Sequence, residues 1–600
     1  MSPSEALAMF RESVGGHDLA DQPSGALAEI VELCGRLPLA IRVAAARLTS
    51  HPTWEVAQFA TRLRDHQRRL GELAAGQRSV TAALDLSYDH LAPPLRRMYR
   101  LCGLHPGADY DAHAAAVLAG TTAPDAERML ERLTDVHLLS EPAPGRYRFH
   151  DLARAHAAQT AVREDTEPER RDALTRLLDH YLHTAATAMD TVYPHHGDER
   201  PDLPAPASGG PAVVDLQRAA AWLDAELGNL LAAARFAAGA AGAAGAAGDG
   251  WARRARDLST TLGRHLYVRG YYTDAEALHA HALAVAGSHG DRRGELDALT
   301  ALGYVRRLLG RHERAVACFT RALEIARDTG HRAGEVAAHN GLGHAHRAQA
   351  RYGPAVTSFE RALAIARDIG HRRGELVALQ GLGFVHLTLG RYQQAADYSE
   401  RALAIARGIG YRGGELIALS GLGFVNRALG RYRRGGGYFR LALRLAHTEG
   451  HRAAEVHALW GLGQINYTVG RYGSAMECFE GALAVARDIG DRNGQFEGLH
   501  GRGLTRCARG HPGQALADHR AAHQLATELG HPVDRARALH GQAGAHRQLG
   551  QREQARRCWQ EALDILEGVG VTKVEEVRTE DIRTSLAQLA GKVPAGPVGT

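Results

Sequence analysis

Histidine and cysteine are the side chains best suited to chemistry here, with 34 of the first and six of the second in 600 residues. A zinc site on a helix needs H-E-x-x-H, and a thiolate site needs cysteines in close pairs. Neither pattern occurs in the sequence. Nor does the nucleophile elbow G-x-S-x-G, or the loop G-x-x-x-x-G-K-[ST] that cradles phosphates through its backbone N–H groups. His331, His371, His451 and His531 recur at a fixed interval, as polar loop residues do. Cys318, Cys478 and Cys558 stand at one position of a repeated unit, which reads as small buried packing and not as metal ligation. No catalytic residue, metal site or cofactor is assigned from these patterns, and the chain reads as one that binds and not as an enzyme.

Composition narrows the class further. A chain of 600 residues is too long for one hydrophobic core. Its 45% apolar and 23% charged residues are ordinary for a globular protein, and its net charge of +5 is too mild to argue for nucleic acid. The start, MSPSEALAMFRESVGG, has no basic region followed by an apolar run, and the Ala/Gly run from Ala237 to Gly250 is too short and too weakly apolar to span a bilayer. A cytoplasmic, reduced protein with no membrane contact is the expectation.

The elements that position the side chains come from a repeat. Gly falls at 270, 290, 310, 330 and 370, and then every twenty residues to 570, with Ala350 the one exception. Two patterns alternate between these glycines: E-x-x-A-L-x-G-L-G, as from Glu375 to Gly383, and G-R-Y-x-x-A-x-x-x-x-x-x-A-L-x-x-A, as from Gly390 to Ala406. Each reads as a helix, with apolar residues at three- and four-residue spacing and glycine at its ends. About eight 40-residue helical hairpins follow from residue 251 to 570, each needing its neighbours to bury both faces. Gly343, Gly383, Gly423 and Gly463 let the two helices of a hairpin approach. Phe319, Phe359, Phe439 and Phe479 fill the space toward the next hairpin.

This pattern resembles the tetratricopeptide repeat in its small and aromatic positions, Leu342, Gly343, Ala355, Phe359 and Ala362 in one unit and Leu462, Gly463, Ala475, Phe479 and Ala482 in another. The units match the 40-residue variety. The outer ones are degenerate: Ala543 replaces a glycine, and His279 and His519 replace the aromatic.

The N-terminal part is different in kind. Ala26 to Leu48 reads as a helix pair broken at Gly35-Arg36-Leu37-Pro38-Leu39-Ala40, and Ser79 to Leu91 as a helix before Pro93-Pro94. Two further helices and a short extended segment, Arg146 to His150, complete the outline of a winged helix. The segment from Gly35 to Ala40, the segment from Leu86 to Leu91, and Phe149-His150-Asp151-Leu152 resemble three elements of the NB-ARC module of STAND signalling ATPases. That resemblance implies nucleotide contacts at Pro38 and His150. The phosphate loop and the Walker B acid are missing, so ADP or ATP would bind only if a P-loop came from elsewhere. The expectation is a truncated relative or a chain whose true start lies upstream. With the Ala221-Trp222-Leu223-Asp224-Ala225-Glu226 helix, the combination resembles the C-terminal portion of AfsR-type regulators of actinobacteria, without their DNA-binding domain.

The expected fold is mainly all-α. An incomplete NB-ARC helical subdomain (1–77) leads to a winged helix (78–160) and then to a helical connector with a mobile Pro/Gly-rich loop from Tyr193 to Pro211 (161–250). Eight repeats forming an α-solenoid (251–570) come next, and a capping helix from Glu575 to Leu589 with a loose tail (571–600) ends the chain. In tetratricopeptide arrays the first helix of each hairpin lines the groove, which implies that Tyr304, Arg307, Asn340, His344, Arg347, Gln380, Phe384, Leu387, Ser420, Phe424, Arg427, Trp460, Gln464 and Tyr467 face a partner. These positions vary from repeat to repeat while the packing positions stay nearly fixed, and Trp, Tyr and Arg are the commonest binding anchors. A protein or peptide partner with acidic and apolar groups is expected. Direct DNA binding through Arg96, Arg97 and Arg100 is not, and the oligomeric state is left open. The favoured reading is a regulatory interaction scaffold, the sensor half of an NB-ARC/tetratricopeptide signal transducer. The second is an ADP-binding switch regulator of transcription whose other parts are not in this chain.

Overall fold

The computed structural model describes every residue except 1, 15–23, 35, 37, 51–54, 65–73, 76–77, 194–202, 204–212, 214, 245–247, 572, 575–576 and 590–600. It divides into two compact units, one drawn mainly from residues 1–192 and 202–240 and one mainly from 259–600. Apart from Tyr193 and Leu203, the stretch expected to be a loop between Tyr193 and Pro211 lies outside the described residues.

In the first unit, the helices Pro3–Val14, Ser24–Leu33, Pro38–Ser50 and Val56–Arg64 enclose Phe10, Ile30, Ile41, Phe59 and Leu63, all fully buried. Pro38 opens its helix, where a missing N–H costs nothing. The helix expected from Ser79 runs Val80–Asp89. Three helices follow it before the extended segment, not two: Pro93–Cys102, Ala112–Ala119 and Ala123–Asp135. The short middle one has no polar face for a periodicity to show, since Ala114 to Ala119 are all buried. Its ends are chemical, with the Asp111 carboxylate accepting from the Ala114 N–H and Gly120 in the left-handed region. Ser140–Ala143 and Arg146–Arg148 pair as an antiparallel hairpin, and the helix Asp151–Glu164 follows. Two long helices, Glu167–Val192 and Leu216–Ala244, complete the elements of this part.

The second unit holds the hairpins, apart from residues 253–258 of the first helix. Eight helix pairs run from Asp249–Arg269 with Tyr272–Ser288 to Pro532–Gln548 with Arg552–Gly568. At each turn the glycine has positive φ, and Ala350 adopts the same conformation at φ 56°. The G-L-G motif has a geometric cause. Phe319 lies fully buried between Gly303 of its own hairpin and Gly341 of the next, where an added Cβ would come within 2.6 and 2.3 Å of the ring. Phe359 lies in the same way between Gly343 and Gly381, Phe439 between Gly423 and Gly461, and Phe479 between Gly463 and Gly501. Ser399 breaks the series. A Cβ at Gly383 would meet its hydroxyl at 3.1 Å and no ring, with the Ala395 carbonyl oxygen next at 3.6 Å.

The glutamate of E-x-x-A-L-x-G-L-G is buried and paired. Glu375 accepts from Arg372 at 2.9 Å and from Arg367 of the preceding helix at 2.8 Å, and Glu415 accepts from Arg412 and Arg407 at the same distances. These pairs hold both carboxyls below the ordinary range against the opposing effect of burial. After the last hairpin, Lys573–Val574 and Val577–Arg578 form a small β-ribbon, so the capping helix starts at Thr579 and not at Glu575. Val577 and Ile582 seal the core around Trp559.

Candidate partner-binding face

Curvature settles which helix lines the inside of the stack. Among like helices, the first helices of consecutive hairpins are the ones that pack closely on each other, as Arg332–Ala348 does on Arg372–Thr388. The face expected to bind is therefore the inner wall.

The structure divides the fourteen expected residues into two groups. Asn340, Trp460 and Gln464 are buried. Asn340 donates to the Gly374 carbonyl of the next hairpin at 3.3 Å, and Gln380 makes the equivalent bond to Gly414 at 3.1 Å. Trp460 packs against Phe424 with the rings tilted by 53° and their centres 5.2 Å apart, and Phe424 meets Phe439 edge-on at 4.9 Å. Asn340, Gln380, Phe424 and Trp460 thus join hairpin to hairpin. The others, Tyr304, Arg307, His344, Arg347, Phe384, Leu387, Ser420, Arg427 and Tyr467, keep part of their surface open on this wall. In the two outermost hairpins Arg264 stands at the register of Tyr304 and Arg547 at that of Arg307, and both were missed because those repeats are degenerate. The glycine spacing alone would have located them.

The wall is cationic. At the three inward positions of the eight first helices stand Arg264, Arg307, Arg347, Arg427 and Arg547, and no Asp or Glu. Burial, and then the neighbouring Arg307, lower the pKa of Arg347. Burial, Arg347 and Arg307 push His344 well below the ordinary histidine value.

The stack also meets itself. Asn493 donates to the Tyr272 hydroxyl at 3.1 Å across 221 residues, and the His531 ring lies 3.2 Å from the Leu308 carbonyl oxygen across 223. One superhelical turn thus spans about five and a half hairpins, and successive turns touch. Burial opposes a charged ring at His531, but the ion pair with Asp534 and the Leu308 carbonyl outweigh it and raise its pKa.

The residues singled out in the first unit have internal partners. His150 caps the helix Asp151–Glu164, its ring accepting from the Leu152 N–H at 3.4 Å. The side chain of Pro38 lies outside the described residues. Arg100 forks onto Asp165 with two 2.7 Å bonds, Arg96 donates to the Leu91 carbonyl at 2.9 Å, and Arg97 donates to the Ala119 carbonyl. Arg146 of the hairpin holds Asp109 and the buried Glu226, and Asn229 donates to Glu226 at 2.7 Å. That gives the Ala221 to Glu226 motif a structural purpose that sequence reading had not supplied. Among the described residues no group of His, Cys, Asp or Glu could hold a metal, and no helix is long and apolar enough to cross a membrane.

Helical hairpins of 40 residues, clamped by G-L-G and presenting a variable inner wall, define an α-solenoid of tetratricopeptide repeats. The tetratricopeptide repeat model matches residues 255–328, 334–408 and 414–488. The chain is similar to the regulatory protein AfsR of Streptomyces coelicolor, at 42% identity over 264 residues, and to AfsR of Streptomyces griseus, at 41% over 266. Each match covers 43% of this chain and only 26% of the relative, so the chain spans about a quarter of the length of either. A STAND protein with a tetratricopeptide repeat sensor from Pyrococcus horikoshii superposes with a TM-score of 0.47 at 14% identity, over 98% of this chain and 74% of its own.

Proposed function

We propose that this chain is a regulatory interaction scaffold, the sensor half of an NB-ARC/tetratricopeptide signal transducer, and that its partner is a protein or peptide held on the inner wall of the solenoid. The observation that carries this is the contrast within each hairpin. Ring-clamping glycines and paired glutamates repeat almost unchanged, while the inner-wall side chains differ from one hairpin to the next. Packing explains the first set and only part of the second. The regulatory AfsR relatives support the role. A protein in this role needs no catalytic residue.

In this reading residues 78–160 are a winged helix whose arginines serve its own packing, so it is not the route to DNA. The nucleotide-switch alternative would give His150 a phosphate to contact. Its place as a helix cap offers a purely structural role instead. Calorimetry on the whole chain should show no ATP hydrolysis and no ADP affinity that depends on His150, whereas micromolar ADP binding abolished by His150→Ala would favour the switch.

The interaction reading is tested by partner capture. Leu387→Ala with Tyr467→Ala removes two open inner-wall side chains, and Arg321→Ala removes an exposed side chain of a second helix. Loss of the captured proteins with the first variant and retention with the second is expected. Identical capture by both would refute it.

A further inference from the structure

Arg307 and Arg347 stand at one register of adjacent first helices, and neither side chain makes a hydrogen bond or ion pair among the described residues. The Nε atom of each is sealed from solvent and has no acceptor. A partly buried charge without a counter-ion is costly, and an unsatisfied buried donor in a native fold needs a reason. The surroundings make the cost greater. Burial, then Arg307 and His531, lower the pKa of His312, whose Nδ1 also lacks a partner. The tyrosines that interact electrostatically with this pair are Tyr272 with Arg307 and Tyr352 with Arg347. Two carboxylates that act on neighbours of this pair, Asp534 on His531 and Asp491 on Tyr272, are already engaged. Asp534 pairs with His531 at 3.3 Å and with Arg537 at 3.2 Å, and Asp491 caps the Gly494 N–H at 3.0 Å. The cluster lies where the solenoid's turns meet, beside the contact of His531 with the Leu308 carbonyl and the approach of Gly310 to the Gly530 carbonyl.

We propose that Arg307 and Arg347, with His312 and His344, form a site for a compact oxyanion, a phosphate or a carboxylate group, whose binding holds successive turns of the solenoid together. The guanidinium fork matches the geometry of either group and gives charge-assisted bonds stronger than neutral ones. A ligand that binds only the folded, closed form stabilises it in proportion to the logarithm of its concentration. The site goes beyond the partner-binding reading, because a free anion would occupy it without a partner. It rests on that reading only where the carboxylate comes from a bound chain.

The test uses the full chain in chloride buffer of fixed ionic strength. One arm titrates inorganic phosphate and pyrophosphate, and the other a glutamate-rich decapeptide, each followed by calorimetry and melting temperature. Saturable binding and a rising melting temperature are expected in at least one arm, with slower amide exchange at residues 308–311 and 530–534. The phosphate arm alone identifies a free anion as the ligand, and the peptide arm alone identifies carboxylates on a chain. Arg307→Gln with Arg347→Gln should weaken binding by about tenfold or more while leaving the ligand-free melting temperature equal or higher, since an uncompensated charge is removed. Arg321→Gln should change neither. Absence of binding in both arms, unchanged affinity in the double variant, or a lower ligand-free melting temperature there would each overturn the proposal. Partner capture by the double variant is a separate readout, so the site can fail while the interaction reading stands.

Discussion

The two units solve the problem of buried charge in opposite ways. In the solenoid the carboxylate of Glu375 is satisfied by arginines three and eight residues before it, and the next hairpin repeats the arrangement. In the N-terminal unit the comparable pairs join residues far apart, Arg100 with Asp165 and Arg146 with Glu226, 65 and 80 positions away. A local network rebuilt in each hairpin can lose one member and keep the rest. A single long-range pair is built once and nothing replaces it.

The largest expected effect follows directly. Arg146→Ala leaves Glu226, which is 2% exposed and whose pKa burial already raises, without its guanidinium. A cost of about 3–5 kcal/mol to the N-terminal unit is expected. Denaturant melts should show its transition move while that of the solenoid stays. Equal loss in both would mean that the units do not unfold separately.

The ring clamps sharpen the comparison inside the solenoid. Gly343→Ala would place a Cβ 2.6 Å from a fully buried Phe359 ring already pressed by Gly381. Overpacking of about 1–3 kcal/mol should outweigh the helix propensity gained. Gly383→Ala meets no ring, its nearest neighbour being the Ser399 hydroxyl at 3.1 Å, and should be neutral or stabilising by up to about 1 kcal/mol. Matching melting temperatures for the two variants would remove the clamp from the account.

Acid should find the degenerate hairpins first. His279 takes the aromatic position in the outermost one, with its ring 2.7 Å from the Ser259 hydroxyl, and burial lowers its pKa to about 4. A histidine kept neutral in the fold contributes stability that is complete above its unfolded pKa near 6.5 and is lost as pH falls toward the folded value. The melting temperature should therefore drop between about pH 6.5 and 4. His279→Phe should flatten that slope. An unchanged slope would exclude this residue as its source.

The smallest expected effect is at the one turn without glycine. Ala350 sits at φ 56°, and Ala350→Gly should stabilise by about 1 kcal/mol. A loss of stability would show that the methyl group contributes more than the strain costs.

What was legible in the sequence follows the same division. A repeat compares a chain with itself, so the glycine every twenty residues revealed the hairpins and their turns, and Gly343, Gly383, Gly423 and Gly463 their packing face, without a structure. The same comparison could not separate open inner-wall residues from those joining neighbours, because Trp460 and Tyr467 vary alike while only Trp460 is buried. The contacts of Tyr272 with Asn493 and of His531 with Leu308 were invisible too, since they depend on the small rotation of each hairpin summed over a turn. In the N-terminal unit no repetition was available. The alanine-rich helix Ala112–Ala119 was overlooked and the partner of Glu226 went unseen.

The central claim is that the inner wall of the solenoid is read by a partner. Amide hydrogen exchange on the chain alone and with a captured partner tests this most directly. Partner-dependent protection should concentrate in the first helices, from Arg292–Leu308 to Arg452–Thr468, with the second helices little changed. Protection confined to the second helices, or to the N-terminal unit, would contradict it.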